Sequence, residues 1–435
     1  MTDKNARHSK RSYGDGSIDQ RGEDVYRLRY RVDGRRFTKT FKGKLTDARK
    51  ELRRLLREGD TGDHVEPSKL TVGQWIDTWI AAGAPGRRKK KVGQKTLERY
   101  EELLRVHVKP KLGAIRLQKL QATEVDRLYT HLDELVDESG DRQIAPMTLH
   151  HVHVVLNSCL STAERKGLIL ANPMRRVEQV PNPQEQILDD EEADADDIGE
   201  GLDDVELARL IAGFERSSLY PVVVLAAATG ARRNELLALR WINLDIDKKT
   251  LRIERAWEQT KKFGLRLKPP KTKRGLRTIE LDDATLTMLL KEKERHQRII
   301  AGIPDGPHVD LSLIKLPAGA LMFPAVPEPG EDFDFTKPRN PRNFSKEFAR
   351  RADHLREQAR KAELPSFAKT RFHDLRGIHS TALLDAGIPV HTVAQRIGDD
   401  PAVLLRNYAK RKRSKKANQS VAAAIAAIAS GFLGK

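Results

Sequence analysis

The sequence predicts a multidomain α+β protein. It has a small N-terminal β-sheet-plus-helix domain, an all-α middle domain, and a mostly α C-terminal domain with a small β-sheet. Three observations lead there. At 435 residues the chain has room for about three domains of roughly 150 residues each. Its hydrophobic pattern alternates near the N-terminus, turns helical over 70–180, and becomes mixed after 202. Between the last two, eleven acids fall in 185–204 with no lysine or arginine among them. Such a run, spaced by Ala, Ile and Gly, reads as a solvated linker rather than a cation cage.

Charge narrows the partner. Lysine and arginine total 80 against 62 acids, a net of +18, and the 415 residues outside the acidic run carry +29. A body this basic points to nucleic acid. No run of 18 apolar residues exists, which excludes an integral membrane protein. The opening MTDKNARHSKRSYGDGS lacks the apolar stretch of a signal peptide. A cytoplasmic location is therefore expected. A lone Cys159 leaves no disulfide scaffold and no cysteine metal site.

In chain order, residues 17–42 offer Val25, Leu28 and Tyr30, then Asp33-Gly34, then Phe37 and Phe41, the pattern of a hairpin. LTDARKELRRLLREGD follows with Leu45, Ala48, Leu52 and Leu55 at helical spacing and Thr46 as the expected N-cap. This basic unit, residues 1–62, suits an arm that reads DNA. Over 68–180, LTVGQWIDTWIAAG puts Val72, Trp75, Ile76 and Trp79 on one face, where the tryptophans read as core. KTLERYEELLRVHVKPKLG, ATEVDRLYTHLDELVD and TLHHVHVVLNSCLSTAERKGLI supply further amphipathic helices, joined to the first by the basic loop GAPGRRKKKVGQK. His150, His151 and His153 spread around their helix, against a shared metal. After the linker at 181–201, the domain 202–410 begins with helical periodicity through VELARLIAGF, PVVVLAAATG and RRNELLALRW. Strands are expected at TLRIERAW and RTIEL, a helix near 284–300, a loop with eight prolines from Pro304 to Pro341, and helices again from about 342. Residues 411–435 form a basic tail and an alanine-rich helix apolar enough to want a partner surface.

Four segments of this last domain carry chemistry together. In ATGARRNELLALRW, Arg232 and Glu235 stand at i and i+3 on a helix, so the carboxylate can brace the guanidinium. PKTKRGLRTIEL places Lys271 and Lys273 in or beside a turn between strands. FHDLRGIHSTALLDAG sets His373 and Arg376 at i and i+3, and RIGDDPAVLLRNYAKR holds Tyr408, the only tyrosine after Tyr220. Those parts suffice for phosphoryl transfer without metal. Two arginines can clamp the non-bridging oxygens of a phosphodiester. A tyrosine oxygen can attack, a histidine can manage its proton, and a lysine can protonate the leaving oxygen.

In their order and spacing, TGARRNELLALRW, PKTKRGLRTI, HDLRGIHSTALLDAG and RIGDDPAVLLRNYA resemble the sequence boxes of the tyrosine recombinases, the phage integrase family. The resemblance covers about 200–410, and the upstream layout is similar to the family's larger integrases, with arm-binding and core-binding domains. It implies a prokaryotic, nucleoid-associated, site-specific integrase that cuts and rejoins double-stranded DNA through a 3′-phosphotyrosine link, without cofactor, metal or ATP. Arg232 and Arg376 would bind the scissile phosphate, with Glu235 supporting the first. Lys271, less so Lys273, would be the general acid, His373 the acid/base and Tyr408 the nucleophile. Four protomers would exchange strands on two sites through a Holliday junction, with accessory factors setting direction. The C-terminal helix would dock on a neighbour. A type IB topoisomerase or a decayed, non-catalytic integrase are the competing readings.

One position departs from the family. Ile397-Gly398-Asp399 stands where Leu-Gly-His is usual, so Asp399 replaces a histidine or tryptophan that would donate to the phosphate. An ionised carboxylate would repel that phosphate. Asp399 is then protonated, turned away, or replaced as donor by a residue such as His379, or activity is reduced, or else it caps the helix beginning near Pro401.

Overall fold

The computed structural model describes residues 16–32, 34–60, 66–86, 91–181, 202–270, 273–306 and 309–409. Most of the acidic run, the RRKK stretch of the basic loop, Lys271 and the alanine-rich tail lie outside the described residues. The chain forms two compact units, residues 1–186 and 187–435.

In the first unit, β1 (Ser17–Gly22), β2 (Val25–Val32) and β3 (Arg35–Lys42) make an antiparallel sheet in that order. Strand alternation sends Tyr26, Leu28, Tyr30 and Val32 to one face, where they bury against Ala48, Leu52 and Leu55 of α1 (Leu45–Asp60). Val25, expected with Leu28, has the opposite parity and lies on the other face. Thr46 is not the N-cap: the backbone N–H groups of Asp47 and Ala48 already bond the Lys44 carbonyl. Thr46 therefore lies inside the first turn.

The same unit continues with α2 (Val72–Ala81), started by a reciprocal cap. Thr71 Oγ1 accepts from the Gln74 N–H at 3.2 Å, and Gln74 Oε1 accepts from the Thr71 N–H at 3.0 Å. Trp75 and Trp79 are core, and each indole N–H finds a carbonyl, of Cys159 and Pro85 respectively, at 3.1 Å. The helix expected from Lys95 on is broken into α3 (Gln94–Leu103), a π-helical stretch at Leu104–Val108, and α4 (Lys109–Leu112). Pro110 offers no N–H to the ladder, and the preceding residues take the wider turn. α5 (Ala122–Asp133) and α6 (Pro146–Arg165) complete the bundle. Two of the three histidines are hydrogen-bonded within it, His153 to the Tyr129 hydroxyl at 3.0 Å and His150 to the Pro181 carbonyl at 2.8 Å.

The second unit opens with α7 (Asp204–Ala212), capped by Asp203, and the buried α8 (Tyr220–Thr229). The helix expected through RRNELLALRW is a single turn, α9 (Arg233–Leu236). Leu236, Leu237, Ala238 and Leu239 are all buried, and one face of a surface helix cannot bury four successive residues. Next come β4 (Leu244–Asp245), β5 (Thr250–Ile253), β6 (Ala256–Thr260), β7 (Gly264–Lys268) and β8 (Arg277–Glu280). They form a sheet in the order β4-β5-β8 and a separate β6-β7 hairpin. Residues 269–276 link that hairpin to the last sheet strand. Then follow α10 (Asp283–Ala301), α11 (Pro341–Lys361), α12 (Asp374–Asp385), α13 (Val390–Ile397) and α14 (Pro401–Ala409). The core gathers α8, the β5 and β8 interior and the Phe344, Phe348 and Phe372 cluster. No helix among the described residues is long and apolar enough to cross a membrane.

Candidate active site

Arg232 is placed by a forced helix end. α8 stops at Gly230, whose φ of +62° is left-handed, and a Cβ there would meet the His379 ring at 2.7 Å. Two residues on, Arg232 takes an extended conformation as the N-cap of α9. Glu235 does brace it, as expected, but from the third position of that turn rather than along a common helix face. Its carboxylate accepts from the Arg232 backbone N–H at 3.0 Å and from Nη1 at 3.1 Å. The second partner was not anticipated: Arg277 Nη2, on β8, donates to Glu235 Oε2 at 2.8 Å, and both side chains are almost fully buried. Burial would raise the Glu235 pKa, but the hydrogen bond and charge of Arg277, then Arg232, hold it below the usual carboxylate range.

Arg376 lies in the first turn of α12, its side chain 7% exposed. Nη1 donates to the carbonyls of Gly230 and Ile397, both at 2.8 Å, which fixes the guanidinium. Its Nη2 then points at Asp399 Oδ2, 2.7 Å away. From the other side Arg232 Nη2 reaches Asp399 Oδ1 at 2.9 Å and the Gly398 carbonyl at 3.1 Å. The two arginines thus converge on one anion from two different elements. Arg232 is 37% exposed, so the clamp opens to solvent on its side.

His373 immediately precedes α12 and lines a cleft of about 290 Å³ with Arg232, Arg233, Asn234, Ser345 and Phe372. Its surface is open to that cleft. Desolvation by the protein packed beneath the ring, then the Arg376 charge, lower its pKa; Asp374 pulls the other way, and Arg232 and Arg371 add smaller lowering effects. A histidine so placed favours the neutral imidazole, which can accept a proton.

Three expectations change. Asp399 is not the helix cap: Asp400 Oδ1 accepts from the Ala402 N–H at 3.0 Å, and its other oxygen pairs with Arg274. Asp399 is not turned away: its carboxylate bridges the two arginines. His379 is no substitute donor, because its Nδ1 bonds the Ala227 carbonyl at 2.9 Å and its Nε2 faces Arg396 Nε at 3.3 Å. Tyr408 is not at the clamp. Its hydroxyl donates to Asp385 Oδ1 at 2.7 Å, and Asp385 lies nine residues beyond Arg376 on α12, about 13 Å further along the axis. Lys271 lies outside the described residues; Lys273 begins the short 3₁₀ turn Lys273–Gly275 before β8. The only sequence signal for Arg277 was its apolar-strand setting, which marks any charged residue there as needing a buried partner.

Comparison with known proteins adds to this geometry. Residues 202–414 match the phage integrase family. An integrase of Streptomyces ambofaciens is 27% identical over 308 residues, 67% of this chain and 72% of that one. A XerC-like tyrosine recombinase of Caldanaerobacter subterraneus subsp. tengcongensis is 23% identical over 397 residues, 87% and 90% of the two chains. In fold, the chain resembles the Tn1549 transposon integrase, solved in complex with a circular intermediate DNA. The TM-score is 0.58 at 16% identity, over 82% of this chain and 99% of that one. Residues 202–414 are thus a phage integrase family domain, in a chain similar to curated integrases and to a XerC-like tyrosine recombinase.

Proposed function

We propose that the chain is a DNA integrase that moves a mobile element by cutting and rejoining attachment-site DNA through Tyr408. The observation that carries this reading is the convergence of Arg232 and Arg376 on a single anion position, with His373 lining the same cleft as Arg232. A phosphodiester attacked in line builds charge on two non-bridging oxygens, and paired guanidiniums meet that charge without a metal ion. His373 takes the phenol proton as Tyr408 attacks, and Lys271 protonates the leaving 5′ oxygen. The displaced bond energy stays in the 3′-phosphotyrosine, so rejoining requires no ATP. Residues 1–62 act as the arm-binding domain, 68–180 as the core-binding domain, and 411–435 as a tail docking on a neighbour in a DNA-bound homotetramer. Tyr408 leaves Asp385 to reach the phosphate.

The test is a covalent protein–DNA adduct trapped on a nicked attachment site in EDTA. Tyr408→Phe should bind the same DNA and form no adduct. Mapping of the adduct to Tyr220, or a full requirement for magnesium, would sink the proposal. Relaxation of supercoiled DNA without site preference would support a topoisomerase instead.

A further inference from the structure

Asp399 occupies the place in the clamp where an anion belongs. Its two oxygens take one hydrogen bond from each arginine, 2.9 Å from Arg232 and 2.7 Å from Arg376. A carboxylate and a phosphodiester each present two oxygens sharing one negative charge, so guanidiniums arranged for one accept the other. We infer that Asp399 is a specificity-determining residue: an internal counter-anion that holds the clamp against free phosphates and yields to a phosphodiester delivered by bound DNA. This rests on the reading of Arg232 and Arg376 as the scissile-phosphate clamp.

The local structure allows the exchange. The backbone around Asp399 is pinned on both sides, while its side chain is 25% exposed. The carbonyls of Arg396, Ile397 and Gly398 accept from Arg277, Arg376 and Arg232 in turn. The Asp399 N–H bonds the Ala394 carbonyl at 2.9 Å, and Asp400 is held by Arg274 and the Ala402 N–H. Gly398, with φ of +71°, packs so tightly that a Cβ would meet the Arg274 carbonyl at 2.9 Å and Arg277 Nη1 at 3.0 Å. Rotation of the Asp399 side chain alone can therefore open the clamp. Discrimination follows from the cost of that rotation. Apparent affinity falls by the fraction of molecules with the clamp open. A free anion meets the whole penalty with two arginines, whereas DNA offsets it through phosphate contacts across the basic body.

The experiment is calorimetric titration of inorganic phosphate into the full-length, DNA-free protein. Wild type, Asp399→Asn, Asp399→Ala and the double variant Asp399→Asn/Arg232→Ala are compared. Phosphate should bind each single variant roughly tenfold more tightly than wild type, and the double variant should lose the gain. Unchanged affinity in a folded Asp399 variant overturns the inference. So does a gain that survives Arg232→Ala, since the phosphate would then sit elsewhere. Loss of the fold in both single variants also overturns it, by making Asp399 a structural ion-pair partner. Cleavage of nicked DNA by Arg232→Ala separates this from the underlying reading: wild-type cleavage there would remove the clamp itself. An inactive Arg232→Ala beside unchanged phosphate affinity in the Asp399 variants removes only the present inference.

Discussion

Arg232 and Arg376 play matching parts in the clamp from unlike surroundings, and truncation should tell them apart. If the proposed clamp holds the scissile phosphate, each truncation should remove charge stabilisation of the transition state, on the order of 10²–10³ in single-turnover cleavage rate. Arg376→Ala in addition strands the carbonyls of Gly230 and Ile397, which its Nη1 now satisfies, and should cost about 1–3 kcal/mol of stability. Arg232 is far more exposed, so Arg232→Ala should melt close to wild type. Equal melting losses would contradict this division. His379 gives a pH signature. Burial first, and then the Arg396 charge, push its pKa down to about 4, against about 6.5 for an unfolded histidine. Between those values the unfolded chain binds more protons, so stability is fully present above pH 6.5 and is lost as pH falls toward 4. The loss should be on the order of 1–3 kcal/mol. Thermal melts of His379→Gln, which retains a donor toward the Ala227 carbonyl, should show a flatter pH response over that window.

At the scale of elements, the site is held by the link from β8 to α9. Arg277 donates to Glu235 from β8, to the Arg396 carbonyl at the end of α13 at 2.8 Å, and to the Gly275 carbonyl at 3.1 Å. One buried guanidinium therefore ties the segment that follows Lys271 to the carboxylate that orients Arg232. Arg277→Met should leave Glu235 with a single partner and destabilise the unit by roughly 3–5 kcal/mol. Arg277→Lys, keeping charge without the planar fork, should recover part of the stability but less of the cleavage rate. A variant lacking Arg277 that melts and cleaves like wild type would show that these elements are fixed otherwise. The short α9 belongs to the same logic. Arg232 is the N-cap of that single turn, which sets it at the helix mouth and not along its side.

For the whole molecule the dominant property is charge. With +29 on the 415 residues outside the acidic run, DNA affinity should fall steeply with salt, the logarithm of affinity dropping linearly with that of salt concentration. A flat salt response in a filter-binding or anisotropy titration would reject the basic body as a DNA surface. Much of this was legible in the sequence because it depends on local pattern. Alternation gave the N-terminal sheet, apolar spacing gave α2 and its two core tryptophans, and the order of four short segments singled out Arg232, His373, Arg376 and Tyr408. The misreadings share a cause as well. Thr46, the unbroken helix through Pro110, and the long helix after Arg232 were judged from periodicity, while caps, a proline and continuous burial decided the outcome. What periodicity could never supply was partnership across the chain. Asp399 is 167 residues from Arg232, and Arg277 is 42 from Glu235. By itself, then, the sequence determined which residues carry charge and where many of the helices and strands run, since these follow largely from side-chain type and near neighbours. Only the tertiary structure decided that Asp399 fills the clamp, that His379 packs against α8, and that Tyr408 rests on Asp385. Each of those is a contact between segments distant in sequence, fixed by how the packed elements converge and by the need to pair every buried charge.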